Sequence, residues 1–187
     1  MPPKIRITRE ELVYTAVDIA RREGINAVNA RAVAKELGCS TQPVFSNFAT
    51  MEELRCAVLS AADGLYEEYI DREIAAEKYP AYKASGMAYI RFAGEEKELF
   101  RLLFMRDRSH EDVNAETEGV RKIVGIVQES TGLDEKRARL FHLEMWAFVH
   151  GIAAMTATGF LELDTELISE MMTDAYQGLI KHYRAKE

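Results

Sequence analysis

Residues 33 to 54 constrain this chain more than any other stretch: Val33-Ala-Lys-Glu-Leu-Gly-Cys-Ser-Thr-Gln-Pro-Val-Phe-Ser-Asn-Phe-Ala-Thr-Met-Glu-Glu-Leu54. They read as the end of one helix, a tight turn at Gly38, a short second helix and the start of a third. Ala34 and Leu37 are spaced to share one apolar face, and Gly38 supplies the backbone freedom that a sharp helix-to-helix turn needs. Ser40 is expected to cap the new helix, with Pro43 in its first turn, where a missing N–H costs little. Val44 and Phe48 lie four apart and face inward. Thr41, Gln42, Ser46 and Asn47 stay outside, all small or medium polar groups able to meet base edges. Two short helices at a steep angle, joined by a turn with glycine, make a helix-turn-helix.

The whole chain has to accommodate that motif. Its 187 residues are 48% hydrophobic, enough for a sizeable core and too apolar for a disordered chain. Prolines number only four, and apolar residues recur at three and four rather than at two, so the fold class is all-α. No apolar run reaches the roughly 18 residues of a membrane span, and Met1-Pro-Pro-Lys-Ile-Arg has no signal-peptide core. The expectation is a cytoplasmic protein with no membrane partner. Two cysteines, Cys39 and Cys56, are too few for a disulfide framework or a zinc site. They are read as reduced, buried thiols, because a redox sensor needs an exposed thiol of low pKa and nothing basic adjoins Cys39.

Net charge is −7, which by itself argues against nucleic acid. Its distribution reverses that. Residues 1 to 48 carry Lys4, Arg6, Arg9, Arg21, Arg22, Arg31 and Lys35 against Glu10, Glu11, Asp18, Glu23 and Glu36, a balance of +2 that leaves −9 for the remainder. A mildly basic head on an acidic body fits a DNA binder whose second part stays off the phosphates.

The pattern of Gly24, then Arg31-Ala-Val-Ala-Lys-Glu-Leu-Gly-Cys-Ser40, then Val44-Phe45 and Phe48, then Glu52-Glu-Leu54, resembles the DNA-binding domain of TetR-type (TetR/AcrR) transcriptional regulators. A three-helix piece of some other bundle would not explain the uncharged polar outer face of the short middle helix. The resemblance implies about nine helices: a three-helix helix-turn-helix head over residues 1–50, and a ligand-binding and dimerisation bundle over 51–187, with helix 4 linking the two. It implies a homodimer joined through its last two helices, a double-stranded palindromic operator, and a small apolar or amphipathic effector, in a protein that is more a repressor than an activator. Helix 3 is then the recognition helix, and Thr41, Gln42, Pro43, Phe45, Ser46 and Asn47 are its DNA-side candidates, with Arg31 from helix 2 and Thr50 at the opening of helix 4. Gln can bond adenine in a bidentate way, and a proline ring or Thr methyl suits the thymine methyl. Lys4, Arg6 and Arg9 either reach phosphates or a minor groove, or form a solvated tail. Two positions depart from the family. Phe45 stands where a tyrosine hydroxyl usually meets phosphate, and Met51 where a lysine usually does.

Taken in order, Thr8-Arg-Glu-Glu11 is a capping box that opens helix 1, whose inner face is Leu12, Ala16, Ile19 and Ala20 and which Gly24 closes. Asn29 caps helix 2. Thr50-Met-Glu-Glu53 is a second capping box, and helix 4 then runs to the low seventies through Leu54, Val58, Ala61, Leu65, Tyr69 and Arg72. Pro80 can start the next helix and Gly94 end it; Glu95 to Met105 gives a short one. Residues 106 to 112 read as a loop in which Ser109 to Asp112 can cap a helix over Val113 to Glu129, which Thr131-Gly132 stops. Asp134 caps a long helix ending at Gly159, and Asp164 caps the last. Pairs such as Glu95-Glu96 and Glu52-Glu53 read as solvated faces or helix starts.

The ligand-side candidates are Phe92, Phe104, Phe141, Trp146 and His150; aromatic stripes at this spacing equally fill a core. His142, Trp146 and His150 form one stripe, with the two histidines about 12 Å apart along a helix axis, too far to share a metal. Each histidine lines a pocket or is a satisfied core group. With no phosphate loop, paired-histidine motif or triad signature, neither enzymatic activity nor a metal or cofactor is expected. The rival reading is a helical small-molecule binder or enzyme whose helix-turn-helix no longer reads DNA.

Overall fold

The computed structural model of the chain describes residues 7–107 and 118–185. Among these, nine α-helices and one 3-10 turn account for the regular structure, with no strand. The helices are α1 (Arg9–Glu23), α2 (Ala30–Glu36), α3 (Gln42–Asn47), α4 (Met51–Ala75), α5 (Ala81–Glu95), α6 (Lys97–Phe104), α7 (Glu118–Thr131), α8 (Glu135–Ala157) and α9 (Thr165–Arg184). They divide into two compact units, residues 1–67 with 96–106, and residues 68–95 with 107–187. Helix α4 supplies residues to both.

In the first unit, α1 packs on α2 and α6, and α2 on α3. The inner faces expected of α1, α2 and α3 are buried: Leu12, Ala16, Ile19, Ala20, Val33, Ala34, Val44 and Phe48. Leu99, Phe100 and Leu103 of α6 are buried as well, so this core draws on a helix remote in sequence. On α4 the buried row is Leu54, Val58 and Ala62, one residue on from the expected Ala61, because four-residue steps carry the stripe there.

In the second unit α5 is the central helix. It packs against α7, α8 and α9, and its buried residues run almost all round: Ala84, Met87, Ala88, Tyr89, Ile90, Phe92 and Ala93. Tyr82 meets His142 and Tyr89 meets His150, so α5 and α8 run in the same direction. Lys83 bonds Thr173 and Tyr82 packs on Tyr176, so α9 runs opposite to α5. A Cβ on Gly86 would come 2.4 Å from the Met172 methyl, a close approach that only glycine permits without a shift.

Several boundaries differ from expectation. Gly94 does not end α5, which continues to Glu95; its φ stays helical and the chain breaks only at Glu96. Arg72 is not the inward residue near the end of α4. That place belongs to Glu73, 5% exposed and paired with Arg91 at 2.7 Å. Cys56 is exposed and Cys39 half-buried, so the thiols do not form part of a core. Ser109 to Asp112 and the start of the helix expected from Val113 lie outside the described residues.

Candidate nucleic-acid interface and bundle interior

The helix-turn-helix is held by its caps. Thr8 Oγ1 accepts the Glu11 N–H at 3.2 Å while the Glu11 carboxylate accepts the Thr8 N–H at 2.8 Å, closing the first capping box. Asn29 Oδ1 accepts the N–H groups of Arg31 and Ala32 at 3.1 and 3.0 Å, fixing the turn of α2 from which Arg31 projects into solvent. Gly38 has φ 61°, and around it Cys39 N–H donates to Ala34 and Gly38 N–H to Lys35, the paired bonds of a Schellman ending. Ser40 does not take the cap position. Thr41 does, in helical conformation and with no side-chain bond, and Ser40 Oγ only reaches the Gln42 N–H at 3.4 Å. The tight exit from Gly38 delays the helix by one residue.

On α3 burial separates two faces. Val44 is buried and Pro43 and Asn47 are half-covered, whereas Gln42, Phe45 and Ser46 share the exposed side. Ser46 Oγ donates to the Gln42 carbonyl at 2.9 Å, and Asn47 Nδ2 to the Pro43 carbonyl at 2.8 Å. These two polar groups are turned onto their own helix. Gln42 stands on the exposed face with no side-chain hydrogen bond among the described residues, and Phe45 stands 57% exposed beside it. Thr50 accepts the Glu53 N–H at 3.1 Å, but the Glu53 carboxylate goes to the Ala49 N–H at 2.8 Å rather than to Thr50. The second capping box is therefore half made. That N–H of Ala49 first, and Arg9 second, hold the Glu53 carboxyl below its ordinary value.

Of the five head cations among the described residues, three are occupied. Arg9 lies over the Phe48 ring at 4.4 Å and bonds Glu53 at 3.1 Å. Arg21 bonds Glu96 at 2.7 Å, and Arg22 is shared by Asp18, Glu23 and Glu36. Among the described residues, Arg31 and Lys35 are left exposed with no ion pair. Lys4 and Arg6 lie outside the described residues.

The five ligand-side candidates fall in separate places. Phe104 belongs to the first unit, edge-on to Tyr66. Phe92 is fully buried against Tyr69. Phe141 is fully buried in a cluster with Tyr82, Tyr176 and Tyr183. Along α5, Tyr82 and Phe92 are ten residues apart, about 15 Å of helix. Trp146 and His150 do sit together, stacked with ring centres 5.1 Å apart. His150 Nδ1 is 2.9 Å from the Tyr89 hydroxyl, and His142 Nδ1 3.2 Å from that of Tyr82. Burial holds both imidazoles below their ordinary pKa, and lifts the Tyr82 phenol above its own. Sequence reading missed the two tyrosines, since partners 60 residues away leave no local signal. The glutamates expected on solvated faces are also bonded: Glu95 accepts from the Tyr69 hydroxyl at 2.7 Å, and Glu96 holds Arg21.

Residues 82–176, a part of the chain that carries none of the helix-turn-helix pattern, match the family model of the tetracyclin repressor-like C-terminal domain. The chain belongs to the TetR family of transcriptional regulators. This TetR-family protein is 25% identical over 167 residues to an uncharacterized HTH-type transcriptional regulator of Mycobacterium tuberculosis, covering 87% of this chain and 77% of that one. It is 21% identical over 174 residues to YobS, an uncharacterized HTH-type transcriptional regulator of Bacillus subtilis, covering 91% and 90%. Its fold is shared by the multidrug binding protein EbrR, solved in complex with imidazole, at TM-score 0.62 and 21% identity over 89% of this chain and 88% of that one. A TetR-family member from Streptomyces coelicolor gives TM-score 0.62 and 19% identity over 89% and 96%. The helix-turn-helix of this TetR-family regulator is thus attached to the bundle that its family carries. Among the described residues no helix is long and apolar enough to cross a membrane.

Proposed function

We propose that this regulator is a cytoplasmic, dimeric repressor that binds a palindromic operator and is released by a small apolar or amphipathic effector. One observation carries the DNA-binding part. Among the described residues, Gln42 on the exposed face of α3 has no side-chain hydrogen bond, and Arg31, the exposed cation in the first turn of α2, has no ion pair. A bidentate amide and an unpaired guanidinium are the groups that read adenine and guanine edges in a major groove.

Dimerisation is supported by apolar groups left uncovered on α8 and α9: Leu140 at 50%, Leu143 at 55% and Leu167 at 41% exposed. A pairing of these helices with those of a second copy would cover them, and would set two recognition helices about one DNA turn apart. The effector site we propose lies along the α5–α8 seam, where Tyr89, His150 and the half-open Trp146 offer a ring surface edged with polar groups. The likeness to a multidrug binding protein is consistent with an apolar effector.

The deciding experiment is a binding titration against the DNA upstream of the protein's own gene, at two salt concentrations. Sequence-specific binding that weakens as salt rises is expected, because phosphate contacts release counterions. Weak binding, equal on every duplex and insensitive to salt, would instead favour a helical small-molecule binder whose head has stopped reading DNA.

A further inference from the structure

Phe45 is an aromatic side chain on the face that the DNA-binding reading presents to the major groove, 57% exposed beside Gln42 and Ser46. It has no role in the core, which is filled from the opposite face of α3 by Val44 and from Phe48. A phenyl ring has no donor, so it gains nothing from a phosphate oxygen and would only strip water from it. Its gain on DNA comes from covering apolar surface. In the major groove the one apolar group on the base edges is the C5-methyl of thymine.

We propose that Phe45 reads thymine through its C5-methyl, so that the operator half-site carries a thymine under this ring next to the adenine bonded by Gln42. The neighbours on α3 leave the ring in that role. Ser46 and Asn47 are turned onto the carbonyls of Gln42 and Pro43, at 2.9 and 2.8 Å, and no Lys or Arg stands on this helix. The inference rests on the DNA-binding reading above, and names what that site selects.

The test starts from a random-sequence duplex library, from which the full-length protein selects its tightest ligand. That duplex is then resynthesised with deoxyuridine for thymidine, one position per half-site at a time. At one position the loss of the methyl is expected to weaken binding about fourfold per half-site, the transfer free energy of one buried methyl. F45A should bind the thymine and uracil duplexes equally, while F45Y, which keeps the ring, should still distinguish them. Circular dichroism of the variants checks that α3, whose buried face is untouched, remains folded. Equal binding of thymine and uracil at every position by the wild type would overturn the inference and leave the regulator standing. So would an F45A variant that loses affinity on both duplexes while keeping the difference between them. Selection that yields no preferred sequence would overturn the DNA-binding reading itself, and this inference with it.

Discussion

Gln42 and Arg31 are set up differently, and their replacements should show it. Gln42 lies on the exposed face of a six-residue helix whose other polar groups are bonded to their own backbone. Arg31 stands on a turn pinned by Asn29, so its stem starts from a fixed place. Gln42→Ala and Arg31→Ala should each relax discrimination at one base position by about 1–3 kcal/mol, roughly fivefold to 150-fold. Lys35→Ala is the control: an exposed cation on the far turn of α2 should lower affinity evenly over all sequences and reduce the salt slope by about one. Competition titrations with single-base operator variants read both effects. If Gln42→Ala kept its full preference, α3 would not be the helix that reads bases. The occupied arginines matter at the same scale. Arg9, Arg21 and Arg22 add formal charge to the head, yet each is committed to a carboxylate, so the count of cations overstates the charge available to phosphate.

At the scale of the element, the α5–α8 seam makes folding sensitive to pH. His142 and His150 are held below the ordinary imidazole value by burial, each against a tyrosine hydroxyl. In the unfolded chain they take up protons near pH 6.5. Between that value and their lowered native one, the unfolded state binds more protons than the native state. Stability is therefore fully present above about pH 6.5 and is lost as pH falls through the window below it. Urea midpoints should drop from pH 7.5 to 5.5. His142→Asn, which can still pair with the Tyr82 hydroxyl, should flatten the slope; unchanged wild-type midpoints over that range would mean that these imidazoles are not held neutral. Helix starts were legible because a cap is a local pattern: Thr8 with Glu11, Asn29, Asp134 and Asp164 all cap where their residue types indicate. Ser40 was misplaced by one residue, since which of Ser40 and Thr41 caps depends on how the chain leaves Gly38. Gly94 is not the stop that its residue type suggests, since the chain leaves the helix only at Glu96. The tyrosine–histidine pairs, the Glu73–Arg91 pair and the scattering of Phe92, Phe104 and Phe141 depend on tertiary pairing, which no local spacing encodes.

For the whole molecule, the proposed reading turns on a six-residue α3, which can address only a few base pairs, so the proposed operator specificity would come from using it twice. Assembly is then a condition of the proposed function. Leu140 and Leu143 stand half-exposed on α8, while the opposite stripe of that helix, including Phe141, Met145 and Val149, fills the core of its own chain. A charge placed on the exposed stripe therefore leaves that core untouched and acts on whatever covers the leucines. On the proposed reading the wild type sediments as a dimer, and Leu143→Glu is expected to yield a folded monomer at the same concentrations. A carboxylate buried in an apolar contact costs several kcal/mol unless it finds a partner. The monomer should still show weak, salt-sensitive DNA binding through one head, but should lose the preference for two half-sites over one. Sedimentation velocity and titration on single and double half-site duplexes separate these outcomes. A Leu143→Glu protein that stayed dimeric and kept wild-type operator affinity would mean that α8 meets no second copy through this face. Linkage then gives the effector its part. A ligand that favours the dimer geometry unsuited to DNA must itself be bound less well on operator, by the same factor by which it weakens the operator complex. Both halves of that cycle can be measured on one wild-type preparation, and an effector bound equally well on and off the operator would show that it does not drive release.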